Sequence, residues 1–298
     1  AEDHFVLHIK KANEPDVIFA RKIVLATGMP GFGGVLIPSF VHLPKDLYAH
    51  SAEYIDFDGL AEKHVGIIGC GASAFDAAAA AFEHDAARVS LLFRRPKLPE
   101  EIFLDISHAG YSHGFYHLSD QIRWDFMVKI SQEGVPPPQE TLEHVISFSN
   151  FAMHPNTAIL DVYQAEKGVT VLTTQGEFNF DYLILGTGFV IDGQTEPLLN
   201  GLMDKIVLWG DLSFEGNGLI QEKLKKYPYL GSHYEFLEKS PGQAPYLKNL
   251  YCFNYAAVLS HGFLSNDIEG ISEGALRLAQ GIAADFFIED YEFYLRSQ

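Results

Sequence analysis

The chain has 298 residues, 47% hydrophobic and 20% charged, which suits one large or two ordinary globular domains with a substantial core. Its 21 basic and 39 acidic residues leave a net charge of −18, which argues against nucleic acid or an anionic membrane as a general partner. No apolar run reaches the length of a membrane span, no signal peptide opens the sequence, and Cys70 and Cys252 stand at no disulfide or zinc spacing, so a reducing, cytoplasmic setting is expected.

In chain order, Phe5 to Ile9 alternates as a strand does, and Asn13-Glu14-Pro15-Asp16 reads as a turn. Val17 to Ala20 and Arg21 to Ala26 resume extended structure, broken at Thr27-Gly28-Met29-Pro30-Gly31. His64-Val65-Gly66-Ile67-Ile68 then reads as a buried parallel strand. Gly69, Gly71 and Ala74 follow at the G-x-G-x-x-G/A spacing of a dinucleotide fingerprint. The first glycine permits a tight turn, the second admits a pyrophosphate to the backbone, and the small third residue lets the helix pack on the strand. Ala72, Ser73 and Ala74 open that helix, which runs to Phe82 and presents free N–H groups to phosphate. A glycine-rich turn of another α/β fold is the competing reading.

A second strand, Arg88 to Phe93, ends in Arg94-Arg95, with no acid until Glu100. NAD sites place a carboxylate there for the ribose 2′-hydroxyl, whereas two guanidinium forks suit a 2′-phosphate, so NADP(H) is favoured over NAD(H). Two solvated surface arginines are the alternative. Between Pro96 and Asn150 lies an insertion, with Pro96, Pro99 and Glu100-Glu101 in a loop. A helix is expected from Ser119 to Gln132, capped by Ser119, with Ile122, Phe126 and Ile130 on its apolar face. Gly134 and Pro136-Pro137-Pro138 end it, and Glu140 to Phe148 reads as another helix. His108, His113 and His117 match no zinc spacing, so no metal site is assigned.

The opening pattern returns late. Ala158 to Tyr163 and Val169 to Thr174 read as strands, and Asp181 to Phe189 as a buried strand ending in a small-Thr-Gly turn. Leu25-Ala26-Thr27-Gly28 thus matches Leu185-Gly186-Thr187-Gly188 in sequence and setting, and both turns are expected to be approached closely by a ligand or another segment. Beyond them come a short helix at Glu196 to Leu199, a short strand at Ile206 to Trp209 and a solvated helix bearing Lys223, Lys225 and Lys226. Leu250 to Asn254 is a strand, Tyr255 to Gly270 a loop, and a last helix starts near Ser272 with Ala275, Ala279, Ile282 and Phe286 on one face.

Two Ala/Gly-Thr-Gly turns flanking a nucleotide fingerprint resemble the flavin-containing monooxygenase superfamily, which includes N-hydroxylating and Baeyer–Villiger enzymes. The likeness runs from about Phe5 to Ala284 and is strongest at Ile23–Gly28, His50–Arg95 and Asp181–Phe189. His50 and Tyr54 match the His and aromatic positions of the family's linker signature, while Pro44 and Asp46 replace its Phe and Gly. The family's first FAD-binding βαβ unit is missing: Gly31-Phe32-Gly33-Gly34 has the wrong spacing for its fingerprint.

The resemblance implies an α/β fold with a Rossmann-like NADP-binding domain inserted into the remainder of an FAD-binding domain. The expected parts are 1–45, partial FAD-binding domain; 46–155, NADP-binding domain with helical insertion; and 156–298, return to the FAD-binding domain with a C-terminal helix. FAD and NADP are the implied cofactors. Gly69, Gly71, Ala72, Ser73, Ala74, Arg94 and Arg95 would serve NADP; Ala26, Thr27, Gly28, Gly186, Thr187 and Gly188 would line the links; Asp267, Ile271 and Ser272 would lie beside the flavin. His261 either faces substrate or is a structural loop histidine. The implied activity is oxygenation of a small organic substrate with O2 through a flavin hydroperoxide, in which the flavin does the chemistry and no catalytic side chain is assigned. The alternatives are a flavoprotein NAD(P)H reductase without oxygenation, weakened in its disulfide form by the lack of a C-x-x-C pair, and a non-catalytic nucleotide-binding subunit. In the latter case a partner or missing segment would supply the FAD-binding unit.

Overall fold

The computed structural model describes residues 4–12, 14–99, 108–214 and 218–296, apart from the side chains of 292–294. The first strands are β1 (Phe5–Lys11), β2 (Glu14–Ala20), β3 (Ile23–Leu25), β4 (Gly33–Val35), β5 (Val41–His42) and β6 (Tyr48–His50). Then come β7 (His64–Ile68), α1 (Ala72–Glu83), β8 (Arg88–Leu92), α2 (Ala109–Gly114), α3 (Asp120–Glu133) and α4 (Gln139–Ile146). The run β9 (Phe151–His154), β10 (Ile159–Gln164), β11 (Val169–Thr173), β12 (Gly176–Phe180), β13 (Tyr182–Leu185) and β14 (Phe189–Ile191) follows. The chain continues through α5 (Leu219–Leu224), β15 (Leu250–Cys252), α6 (Val258–His261), α7 (Ile271–Glu289) and α8 (Tyr291–Arg296).

Two compact units emerge. One comprises 35–103 and 132–189; the other comprises 1–34, 104–131 and 190–298. These limits differ from the three-part sequence division at 45/46 and 155/156. The strands after 156 pack with the nucleotide fingerprint because Val162, Val169, Val171 and Phe180 share one core with Ile68, Leu92, Leu183 and Leu185. The insertion 104–131 groups instead with the C-terminal part. There Arg123 donates to the Ser260 carbonyl, Arg277 to the Ser112 carbonyl, and the Phe263 amide to the Tyr111 hydroxyl.

The fingerprint unit is layered. Its centre is a five-stranded sheet in the order β6-β13-β7-β8-β9, parallel throughout. Both faces are covered, which is why Val65, Ile67, Ile68, Val89, Leu91 and Leu92 run apolar without alternation. On one face lies α1, whose Ala74, Phe75, Ala77, Ala78 and Ala81 are buried, with Val145 of α4 beside them. The other face meets β10, β11 and β12, which with β5 form a second sheet ordered β12-β11-β10-β5. Gly66 makes room for that layer: a Cβ there would stand 2.5 Å from the Phe180 ring. The α/β class is as expected, with one helical cover replaced by a sheet.

The second unit has less regular structure. β1 and β2 form an antiparallel hairpin in which Glu14, Pro15 and Asp16 belong to β2, opposite Lys11, Lys10 and Ile9. The turn is therefore tighter than the sequence suggests, with Ala12 at φ +49°; Asn13 lies outside the described residues. β3 and β15 pair in parallel, and Glu235 bridges to the other side of β15 at Tyr251. Ile206 and Leu208 form isolated bridges rather than a strand. The stretch Tyr255 to Ser265, read as loop, is a succession of short helical turns, the first capped by the Asn254 side chain accepting from the Ala256 amide.

Helix faces also differ from expectation. On α3, Ile122 is exposed and Arg123, Trp124, Phe126, Met127 and Ile130 are buried. On α7, Ala275 and Ala279 are exposed, and the buried line is Gly274, Leu278 and Gly281. Among the described residues no helix is long and apolar enough to cross a membrane.

Candidate functional site: a nucleotide turn and a second polar turn

The fingerprint takes the conformation its spacing requires. Gly69 has φ +136°, and a Cβ on it would fall 2.2 Å from the Gly186 carbonyl oxygen. Gly71 is the residue before α1, extended at φ −86° and ψ 179°, with no capping side-chain bond. A Cβ on Gly71 would meet open space. The backbone at Gly71 is thus open to approach, and the first turn of α1, at Ala72 and Ser73, keeps its N–H groups for an anion. A pyrophosphate fits this cradle.

Gly186, expected to be approached closely by a ligand or another segment, is approached by a segment of the chain. A Cβ there would stand 2.8 Å from the Ala74 Cβ. The third fingerprint position and the late Thr-Gly turn therefore pack on one another, and the helix lies close to the sheet because both residues are small. Thr187 donates its hydroxyl to the Leu36 carbonyl. The Gly188 carbonyl accepts from the Leu36 amide at 2.9 Å and from His50 Nε2 at 2.9 Å. His50 is fully buried, and its Nδ1 accepts from the Ala52 amide, which fixes the neutral Nε2–H tautomer. Burial holds its pKa below the usual histidine value. Tyr54, the other linker residue, is 91% exposed.

Arg94 and Arg95 follow β8 and differ in setting. Arg94 is exposed and makes no hydrogen bond or ion pair with any described residue. Arg95 is half-buried and donates through Nη1 to the carbonyls of Gln132 at 2.6 Å and Glu133 at 2.9 Å. Both lie near the fingerprint: burial raises the Cys70 thiol pKa, and the Arg95 and Arg94 charges oppose that rise. Glu100 and Glu101 lie outside the described residues.

In the second unit Ala26, Thr27 and Gly28 form an exposed turn, with Gly28 at φ +73°. The Thr27 hydroxyl donates to the Gly31 carbonyl at 3.1 Å. Asn254, 1% exposed, donates to Thr27 Oγ1 at 3.1 Å and to the Gly31 carbonyl at 3.2 Å. Sequence reasoning missed this role; the signal was a polar residue closing an otherwise apolar strand. Asn254 also accepts at its carbonyl from the Ser265 hydroxyl, 2.8 Å away. That bond ties the turn to the segment leading into α7, where the Asp267 carbonyl accepts from the Ile271 amide. Ile271 and Ser272 are exposed at the start of α7.

His261 is the structural histidine of its two readings. It is fully buried between the rings of Tyr234, at 3.8 Å, and Tyr116, at 4.8 Å, and Nε2 donates to the Gly231 carbonyl at 2.9 Å. Burial drives its pKa well below the usual value, and the nearby Arg277 and Arg123 reinforce that direction. Arg123, 4% exposed, sits over Tyr116, Trp209 and Tyr229 at 5.1–5.7 Å. Of the histidines in the insertion, His108 accepts from the Gly110 amide as the cap of α2, His113 lies in the last turn of α2, and His117 ends the short turn that follows.

Comparison with known proteins follows the same lines. The L-lysine 6-monooxygenase/L-ornithine 5-monooxygenase family profile matches residues 1–145. An FAD-dependent urate hydroxylase of Xanthomonas campestris pv. campestris is 35% identical over 276 residues, covering 92% of this chain and 58% of that protein. The chain thus spans less than two thirds of that curated relative. The ornithine N-hydroxylase of Kutzneria sp. 744 has a TM-score of 0.67 at 13% identity, covering 95% of this chain and 68% of its own. The L-lysine 6-monooxygenase of Pseudomonas syringae has a TM-score of 0.62 at 15% identity, covering 94% of this chain and 69% of its own. At such identities the structural likeness establishes the fold alone. The two sequence matches support the resemblance to the flavin monooxygenase superfamily.

Proposed function

We propose that this chain is the NADPH-binding portion and part of the FAD-binding portion of a monooxygenase that oxygenates a small, nitrogen-rich organic substrate with O2. The observation that carries the reading is the fingerprint cradle: Gly71 open to approach, the bare first turn of α1, and Arg94 exposed at the end of the next strand. When bound, NADPH and FAD supply hydride transfer and oxygen activation. The chain's own residues bind and orient. The α1 amides hold the pyrophosphate, the arginine after β8 takes the 2′-phosphate, and the turns at Ala26–Gly28 and Gly186–Gly188 shape the links between the dinucleotide sites. Asp267, four residues before α7, and Ile271 and Ser272 at its start would present backbone to the flavin. The urate hydroxylase likeness makes urate the first substrate to test, with L-ornithine and L-lysine beside it.

The FAD-binding βαβ unit lies outside these 298 residues on this reading, in a further segment or a partner chain. Two features support it. β3 pairs on one side only among the described strands. Leu276, Phe287 and Ile288 of α7 are 51%, 58% and 71% exposed, an apolar surface that favours a cover. Two free cysteines, Cys252 buried, suit a reducing, cytoplasmic setting.

The deciding test is a visible absorption spectrum of the chain with added FAD, before and after anaerobic NADPH, followed by oxygen and product assays. Retained flavin that bleaches, with NADPH use coupled to urate or amine oxidation, supports the monooxygenase. NADPH use with all oxygen returned as hydrogen peroxide for every substrate supports the reductase alternative. NADPH binding without retained flavin supports completion by a further segment or partner.

A further inference from the structure

The two arginines after β8 share a sequence position but not a job. The Arg95 guanidinium is committed to backbone: its Nη1 bridges the carbonyls of Gln132 and Glu133, the last two residues of α3. That helix carries no basic residue in its own last turn, so its terminal carbonyls need donors from elsewhere. Gly134 follows at φ +81°, and a Cβ there would come within 3.1 Å of Arg95 Nη2, so the glycine leaves room for the fork. The backbone around Arg94 is pinned on both sides. The Thr157 amide donates to the Phe93 carbonyl and the Asn156 amide to the Arg95 carbonyl, each at 2.9 Å. The Arg94 side chain itself is exposed and has no hydrogen-bond or ion-pair partner among the described residues.

Resting on the NADPH reading above, we infer that Arg94 alone reads the 2′-phosphate, and that Arg95 is a positioning residue. Arg95 fastens the strand exit to the end of α3 and so fixes where the Arg94 fork stands. A mobile Arg94 would still attract the phosphate but would lose the ordered two-bond geometry that separates NADPH from NADH.

The test measures binding of 2′,5′-ADP and 5′-AMP to the 298-residue chain by calorimetry, at two salt concentrations, for the parent and Arg94→Ala, Arg95→Ala and Arg95→Lys. The parent prefers 2′,5′-ADP. Arg94→Ala removes about ten- to hundredfold of that preference, bringing 2′,5′-ADP down to the affinity of 5′-AMP, and lessens the salt dependence. Arg95→Ala loses only a few-fold, keeps the salt dependence, and speeds hydrogen exchange at the Asn156 and Thr157 amides. Arg95→Lys, which still donates to the carbonyls, restores both the preference and the protection. The inference is overturned if Arg95→Ala abolishes the preference as fully as Arg94→Ala with exchange at Asn156 and Thr157 unchanged, or if Arg94→Ala leaves the preference intact. In both of those cases the NADPH reading stands. A parent that binds the two ligands equally overturns the NADPH reading itself, and this inference with it.

Discussion

Gly69 and Gly71 stand two positions apart and are glycine for different reasons. Gly69 answers to the protein: its φ of +136° and the Gly186 carbonyl exclude a side chain. Gly71 meets no such limit from the protein, since a Cβ there has nothing within 4 Å, and the proposed pyrophosphate would be what requires it. Gly69→Ala should cost about 2–5 kcal/mol in urea unfolding, from backbone strain and overpacking together. Gly71→Ala should stay within about 0.5 kcal/mol of the parent while NADPH binding, followed by fluorescence titration, weakens. Loss of stability in Gly71→Ala would count against its role as an open cradle. Asn254→Ala removes bonds to Thr27, Gly31 and Ala256 from a site 1% exposed, and about 2–4 kcal/mol should go with them in the same unfolding assay. The fingerprint residues were legible because their constraint is local, a turn and a helix start. Asn254 was not, because its partners lie 223 and 227 residues away.

At the scale of elements, strands and helices were legible and helix faces were not. α7 shows why. Hydropathy points to Ala275, Ala279, Ile282 and Phe286, yet the buried line runs through Gly274, Leu278 and Gly281. A Cβ on Gly274 would lie 2.2 Å from the Leu264 carbonyl oxygen, and one on Gly281 would lie 2.3 Å from the His233 ring. Glycine carries almost no hydrophobic signal, so a helix that packs through its bare backbone hides its inner face from any periodicity argument. Leu278→Ala should therefore destabilise by about 2–4 kcal/mol, whereas Leu276→Ala, at a site 51% exposed, should change the unfolding midpoint little. The reverse order would mean that the helix packs on its other face. α3 misled for another reason: its buried side carries Arg123, which pairs with Asp120 one turn back and lies against Tyr116 nearby and Trp209 and Tyr229 far along the chain.

For the molecule as a whole, burial sets the response to acid. His50, His64, His154 and His261 all have pKa values lowered, in each case first by desolvation. Arg88 adds to the effect at His64 and His154; Asp181 opposes it at His64, and Glu53 opposes it at His50. A lowered pKa means that the unfolded chain binds the proton first. Stability is then full above the ordinary histidine pKa of about 6.5 and falls as pH drops through and below it. Urea unfolding from pH 8 to pH 5 should show that fall, and His261→Gln should flatten part of it; a stability rising toward pH 5 would contradict the burial argument. Glu53, paired with the His50 amide and Lys45, has a lowered pKa and adds a second decline at lower pH. The α/β class was legible from motif spacing. The limits of the two units were not, because the strands after 156 resemble the opening hairpin in pattern, and only their packing on Leu183 and Leu185 assigns them to the fingerprint unit.

The contact between Ala74 and Gly186 has a consequence for paired substitutions. The two positions are 112 residues apart in the chain, yet the space between them admits a single methyl group. A methyl added at 186 would meet the Ala74 Cβ at 2.8 Å, and removing that Cβ by Ala74→Gly would still leave the Ala74 Cα at 3.2 Å and the Ile68 carbonyl oxygen at 3.3 Å, so Ala74→Gly should recover part and not all of the stability that Gly186→Ala loses. The two positions should therefore behave as a coupled pair in a double-mutant cycle, the double variant less destabilised than the sum of the single ones.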